Sequence, residues 1–382
     1  MTAVALRVLL VSWSISWICA TSPMVRNVSA AQHGYQPRSS LPAIDRSLAD
    51  PFVVDPVILA SPGSPEPSEA GGTWLRRASM PVAKDDFAYA ETGQRVYAFG
   101  GMTGPRGTLL NDAEVYDVAS DTWRSLPDLP TPRRSVRAAA VGATIYVIGG
   151  VGPTGATGTV EAFDTQAEAW SSRAAMPTPR YGMALAVVDG ALYAMGGFRD
   201  GHAVAIVERY DPITDQWQPR APLSTPRTHL AAVAVGATIY ALGGEADRGA
   251  LDVTEVYEAA ADRWHAGPSL PEPLSNFSAV LVGGRIHVLE HDVHEVLRLV
   301  DQRWSHATPM PTPRHGLGLV AIDGVIFAFG GCHQQLFDLD VVEAYQADAN
   351  SSPASRRKAD DLLPYSPRLE QSPIASSEVQ IS

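Results

Sequence analysis

Residues 176–217 read MPTPRYGMALAVVDGALYAMGGFRDGHAVAIVERYDPITDQW. Apolar residues alternate through Tyr181–Val188, the period of a half-buried strand. Asp189-Gly190 then supplies a two-residue turn of the kind that joins antiparallel strands. ALYAMGG (191–197) is a second strand that ends in a glycine pair. A Glu-x-Tyr-Asp segment (208–211) and a segment ending at Trp217 supply a third and a fourth. Four short antiparallel strands in about forty residues cannot bury both faces alone, so the unit has to stack against copies of itself.

The copies are present. RVYAFGG (95–101), TIYVIGG (144–150), TIYALGG (238–244), RIHVLEH (285–291) and VIFAFGG (325–331) repeat the second strand. Trp123, Trp170, Trp217, Trp264 and Trp304 each follow a glutamate by nine positions. Each repeat tryptophan, Trp74 included, precedes by ten positions Lys84, Arg133, Arg180, Arg227, Leu274 or Arg314. From there to the second residue of the glycine pair is seventeen positions in every copy. Only the segment between that pair and the glutamate varies, spanning 13, 11, 11, 11, 4 and 12 positions.

The glycine pair, the Glu-x-Tyr-Asp segment and the Met176-Pro177-Thr178-Pro179-Arg180 step after a tryptophan resemble the kelch repeat, in its bacterial type. The resemblance covers residues 73–346, about seven tenths of the chain, and implies an all-β, six-bladed β-propeller with four antiparallel strands per blade. The last glycine pair, Gly330-Gly331, is followed by Glu343, but Ser352 stands where a tryptophan belongs. The unmatched tryptophan is Trp74, ahead of the first pair. The ring is therefore expected to close through an N-terminal strand around Trp74 that completes the final blade, which removes free sheet edges.

Composition agrees. The 382 residues include 32 Gly and 30 Pro, which break helices, and only 2 Cys, too few for a disulfide scaffold. A net charge of −12 argues against nucleic acid or an anionic membrane as partner. Residues 1–20, with Arg7 before the apolar run VLLVSWSISWI (8–18), read as a secretory leader, and export is the expected localisation. That run is too short for a transmembrane helix. Residues 21–72 read as a Pro/Ser-rich linker and 347–382 as a disordered tail.

Residues that recur in every copy read as scaffold: the glutamates 114, 161, 208, 255, 295 and 343, the basic residues before each first strand, and the tryptophans. Function is expected where the repeat breaks. Alternating strand direction places the variable loop and the Trp-to-Arg connection of every blade on one face, and loops on a rigid scaffold carry binding. Two residues past the basic position stand Asp86, Ser135, Gly182, His229, Asn276 and Gly316. In related kelch propellers polar side chains just past this step take part in ligand binding. Arg137 replaces the small residues Ala88, Ala184, Ala231, Ser278 and Gly318 at the head of the innermost strand, and reads either as a ligand-facing cation or as a plug paired with Asp86. Candidate ligand contacts are Asp86, Ser135, Arg137, Arg199, His229, Glu245 and Asn276.

The fifth copy departs most, with Glu290-His291 in place of glycines and Leu274 in place of arginine. His291, Asp292 and His294 cluster in a loop and are weak candidates for a metal, since two histidines three apart in a loop lack the helical geometry of a zinc motif. The sequence carries no nucleophile, phosphate or metal motif, so no cofactor and no metal are expected. The reading is an exported binding module for a protein or glycan. One alternative is a sugar enzyme at the channel mouth, resembling the six-bladed N-acetylneuraminate epimerases, in which Arg137 with His229 or Glu245 binds a carboxylate and moves a proton. Another is a structural component of a surface assembly.

Overall fold

The computed structural model describes residues 71–333 and 337–347, with Phe337 described in its backbone alone. The leader, nearly all of the linker and the tail beyond residue 347 lie outside the described residues. The described residues form six four-stranded antiparallel sheets around one axis. Blade one is Ala88–Thr92, Arg95–Phe99, Ala113–Asp117 and Thr122–Leu126, in that order from the axis outward. The first strands of neighbouring blades touch one another all the way round. Among the described residues there is no helix long and apolar enough to cross a membrane.

Blade six closes the ring. Gly318–Ile322, Val325–Phe329 and Val342–Ala347 are completed by Gly72–Arg76, with Trp74 opposite Tyr345. The strand expected around Trp74 is therefore the outermost strand of the last blade. In blades one to four and in blade six the variable segment folds into a small two-stranded hairpin, such as Phe198–Arg199 with His202–Ala203. Blade five has none. Its strands Arg285–Glu290 and Val293–Arg298 are joined directly by His291-Asp292, which accounts for the four-position spacing.

Six apolar clusters fill the seams between neighbouring blades. The first seam holds Tyr97, Phe99, Val147 and Phe163, and Trp170 lies edge-on to Phe99. Each large side chain so buried contributes roughly 1.5–3 kcal/mol. The tryptophans add directionality. Each indole N–H donates to the backbone carbonyl four residues past the tryptophan of the preceding blade: Trp123 to Ala78, Trp170 to Pro127, Trp217 to Ala174, Trp264 to Ala221 and Trp304 to Pro268, at 2.8–3.4 Å. Trp74 completes the circuit by donating to Thr308 at 3.0 Å.

The repeated charges lie inside the blades. Arg180, with no exposed surface, forms an ion pair with Glu208 and donates to the carbonyls of Ala194, Gly196 and Thr178 at 2.8–3.0 Å. Arg133–Glu161, Arg227–Glu255 and Arg314–Glu343 repeat the arrangement, and Lys84 reaches Glu114 and Asp112. Each pair ties the connection entering a blade to that blade's third strand. Blade five, with Leu274 instead, turns Glu295 outward to His306 at 2.5 Å.

Candidate functional site

The connections between blades converge on the axis at six residues: Asp86, Ser135, Gly182, His229, Asn276 and Gly316. All six hold a left-handed backbone, with φ between 49° and 62°. Glycine adopts this conformation freely, and Asp, Asn and His tolerate it better than bulky residues. The reason for the strain is a closed ring of hydrogen bonds. The N–H of each residue donates to the carbonyl of its counterpart one blade back, at 2.6–3.3 Å, and the N–H of Asp86 closes the ring on Gly316. These positions share one backbone role and differ only in what they present. At Gly182 a Cβ would collide with the Thr228 hydroxyl.

Beneath this collar the six innermost strands enclose a cavity of about 370 Å³. Of the candidate contacts, Asp86, Arg137 and Asn276 line it; Ser135, Arg199, His229 and Glu245 do not. Asp86 Oδ2 accepts the Ser135 hydroxyl at 2.9 Å. Arg137 donates one N–H to the carbonyl of Val136 at 3.2 Å. Among the described residues no carboxylate lies within ion-pair distance of its guanidinium, so the plug pairing with Asp86 is not formed.

His229 and Glu245 stand outside the channel but together. His229 Nδ1 lies 3.4 Å from Glu245 Oε1, and this hydrogen bond holds the Glu245 carboxyl below its usual range. Arg199 sits in the blade-three hairpin, paired with its neighbour Asp200 at 2.8 Å. The same hairpin starts with Phe198, whose ring lies 5.4 Å from that of Tyr181. The sequence reading passed over this aromatic pair. Its signal is positional: the residue after each basic position bridges to the first residue of the variable loop, as in Tyr181 with Phe198 and Thr228 with Glu245.

Blade five sorts its histidines differently from the expected loop cluster. His294 lies on a strand, buried, with Nδ1 donating to the Thr308 carbonyl at 2.7 Å and Nε2 3.0 Å from His287 Nδ1. Burial keeps both rings neutral, and with His294 Nδ1–H spent on the Thr308 carbonyl, His287 donates and His294 Nε2 accepts. Burial pushes the His287 pKa down to about 3 and that of His294 down to about 4. His291 turns instead to His315, 3.0 Å away, and His315 Nε2 meets Cys332 Sγ at 3.1 Å. Burial lowers His291 to about 4 and raises neighbouring Glu290 to about 7. His291, Asp292 and His294 thus do not face a common point. Among the described residues no three His, Cys, Asp or Glu side chains are placed to share a metal ion.

Comparison with known proteins matches this architecture. The family model described as the KLHDC2/KLHL20/DRC7 Kelch-repeats domain matches residues 76–244, and the Kelch motif model matches 226–271. The chain is similar to an F-box/kelch-repeat protein of Arabidopsis thaliana, 42% identical over 78 residues, which is 20% of each chain. It is similar to Kelch-like protein 15 of Gallus gallus, 33% identical over 79 residues, 21% of this chain and 16% of that protein. The chain therefore spans a fifth or less of the length of these relatives. The solved structure of YjhT superposes with a TM-score of 0.63 at 15% identity, covering 72% of this chain and 98% of that one, a similarity of fold.

Proposed function

The chain belongs to the kelch-repeat family, and from that premise we propose that it is an exported binding module that takes a protein or glycan ligand on the face carrying the variable loops. One observation carries the reading. The charges that repeat from blade to blade are buried and spent on internal pairs, whereas the polar side chains that differ between blades gather on this one face. A scaffold that hides its regular charges and displays its irregular ones suits recognition better than general adhesion. Export rests on the leader, and N-terminal sequencing of the mature protein tests it.

The binding face is tested with glycan and peptide arrays probed by the full chain, by an Arg199→Ala/Glu245→Ala variant, and by Arg95→Ala on the tight-turn face. The reading expects signals that fall at least about tenfold for the loop-face variant, the loss of one or two charged hydrogen bonds. The Arg95 variant should match the wild type. Equal signals from all three proteins would sink it. A second reading, a sugar enzyme at the mouth, draws on the His229–Glu245 pair, which has the reach of an acid–base couple. It expects turnover of a sugar acid that His229→Gln abolishes.

A further inference from the structure

The channel itself carries an inference that does not depend on the loop-face reading. Its volume, about 370 Å³, falls in the range of small-molecule sites. Leu185, Val187, Leu281 and Leu319 line it, with alanines between them, and Tyr89, Glu91 and Ser278 interrupt this apolar wall. The collar offers a ligand no backbone groups through its ring bonds, because each N–H and carbonyl in that ring is paired with a neighbour. Polar recognition at the mouth therefore falls to side chains.

Arg137 is the one cation among the described residues that line the cavity. A guanidinium carries five N–H donors, and one of them is committed to the Val136 carbonyl. A cation facing an apolar wall with no carboxylate at ion-pair distance is costly, and an anion brought by a ligand offsets that cost. Asp86 lines the same mouth and Glu91 the same channel, and negative charge there opposes a dianion such as a phosphate monoester. Asn276 adds a neutral amide.

We propose that the channel binds a small monocarboxylate with an apolar body, an aliphatic or aromatic acid. Its carboxylate sits on Arg137, bidentate across the fork, with its body against Leu185 and Leu319. The combination of one cation, two acidic residues (Asp86 and Glu91) and aliphatic side chains along the strands selects charge, valence and polarity together.

Calorimetric titration of the full chain with hexanoate and benzoate tests this, against hexanamide, benzamide and methyl phosphate. The acids should bind saturably, and the amides and the phosphate at least about tenfold more weakly. Arg137→Gln should reduce acid binding to the level of the amides. Leu185→Phe, which fills the channel without touching the guanidinium, should abolish it, and unchanged melting temperatures would show both variants folded. Arg199→Ala/Glu245→Ala should bind the acids normally, which separates this site from the loop face. No saturation by either acid at millimolar concentration, equal binding of acid and amide, or undiminished acid binding by a folded Arg137→Gln would overturn the proposal.

Discussion

Arg180 and Arg137 show how the same residue type takes opposite roles at two different positions of the repeat. Arg180 donates to Glu208 and three carbonyls, and burial, with a smaller push from the Arg199 charge, pulls its pKa down. Removing one partner of such a pair leaves the other buried and uncompensated. Arg180→Met should therefore cost about 3–5 kcal/mol in denaturant unfolding, and Glu208→Leu a similar amount. The double change should cost clearly less than either alone, because no stranded charge remains. If the double variant lost the sum of both, the two charges would be energetically uncoupled and this account of the pair would fail. That these arginines are structural was legible from their recurrence at constant spacing. Their partners were legible only as a class, since spacing names the glutamates but not the carbonyls each guanidinium reaches. The ring bonds of the collar were not legible at all. They are backbone bonds, and the residues that form them are chemically unalike.

Blade five is the element in which the repeat is rewritten. His287 stands where blades one to four have tyrosine and blade six has Phe327, and His294 where other blades have Ala, Val or Thr. The sequence reading set His294 in a loop because it follows a missing glycine pair. The missing loop instead lets both strands run on, which carries His294 into the seam against Trp74 and Tyr345. The consequence is a pH dependence. His287, His291 and His294 have folded pKa values of about 3, 4 and 4, below the ordinary 6.5. Between pH 6.5 and about 4 the unfolded chain takes up protons there that the folded chain refuses, so stability is full above 6.5 and falls as the pH drops. Glu290, raised from 4.5 to about 7, acts in the opposite sense over part of that window and offsets some of the loss. Melting temperatures should fall from pH 7 to 4, and His287→Phe/His294→Val should flatten the decline. An identical slope in the variant would show that the acid sensitivity lies elsewhere.

At the scale of the molecule, the fold is a circle closed without a covalent bond. Two rings of hydrogen bonds run round it, the collar at the axis and the tryptophan belt outside, and both pass through the seam between blades five and six. The belt closes only through Trp74, so a chain beginning at residue 83 lacks the last strand and the last link. It should melt about 10 °C or more below the full chain, or lose cooperative unfolding, consistent with roughly 3–5 kcal/mol for the tryptophan alone. Equal melting would mean that blade six holds with three strands. Blade number and the place of closure could both be counted from eight tryptophans, two of them within residues 1–20 and outside the repeat. What counting could not supply is which way each indole reaches.

The pairing of Gly72 with Ala347 has one more result. The third strand of a blade descends from the loop face and the fourth climbs back to it, so both residues lie at the foot of blade six, on the tight-turn side. The stretches that precede and follow the propeller thus leave it at a single point on the rim. A body hung from that point presents its loop face away from whatever holds it. The channel mouth then stays open to the medium even when both ends of the chain are anchored.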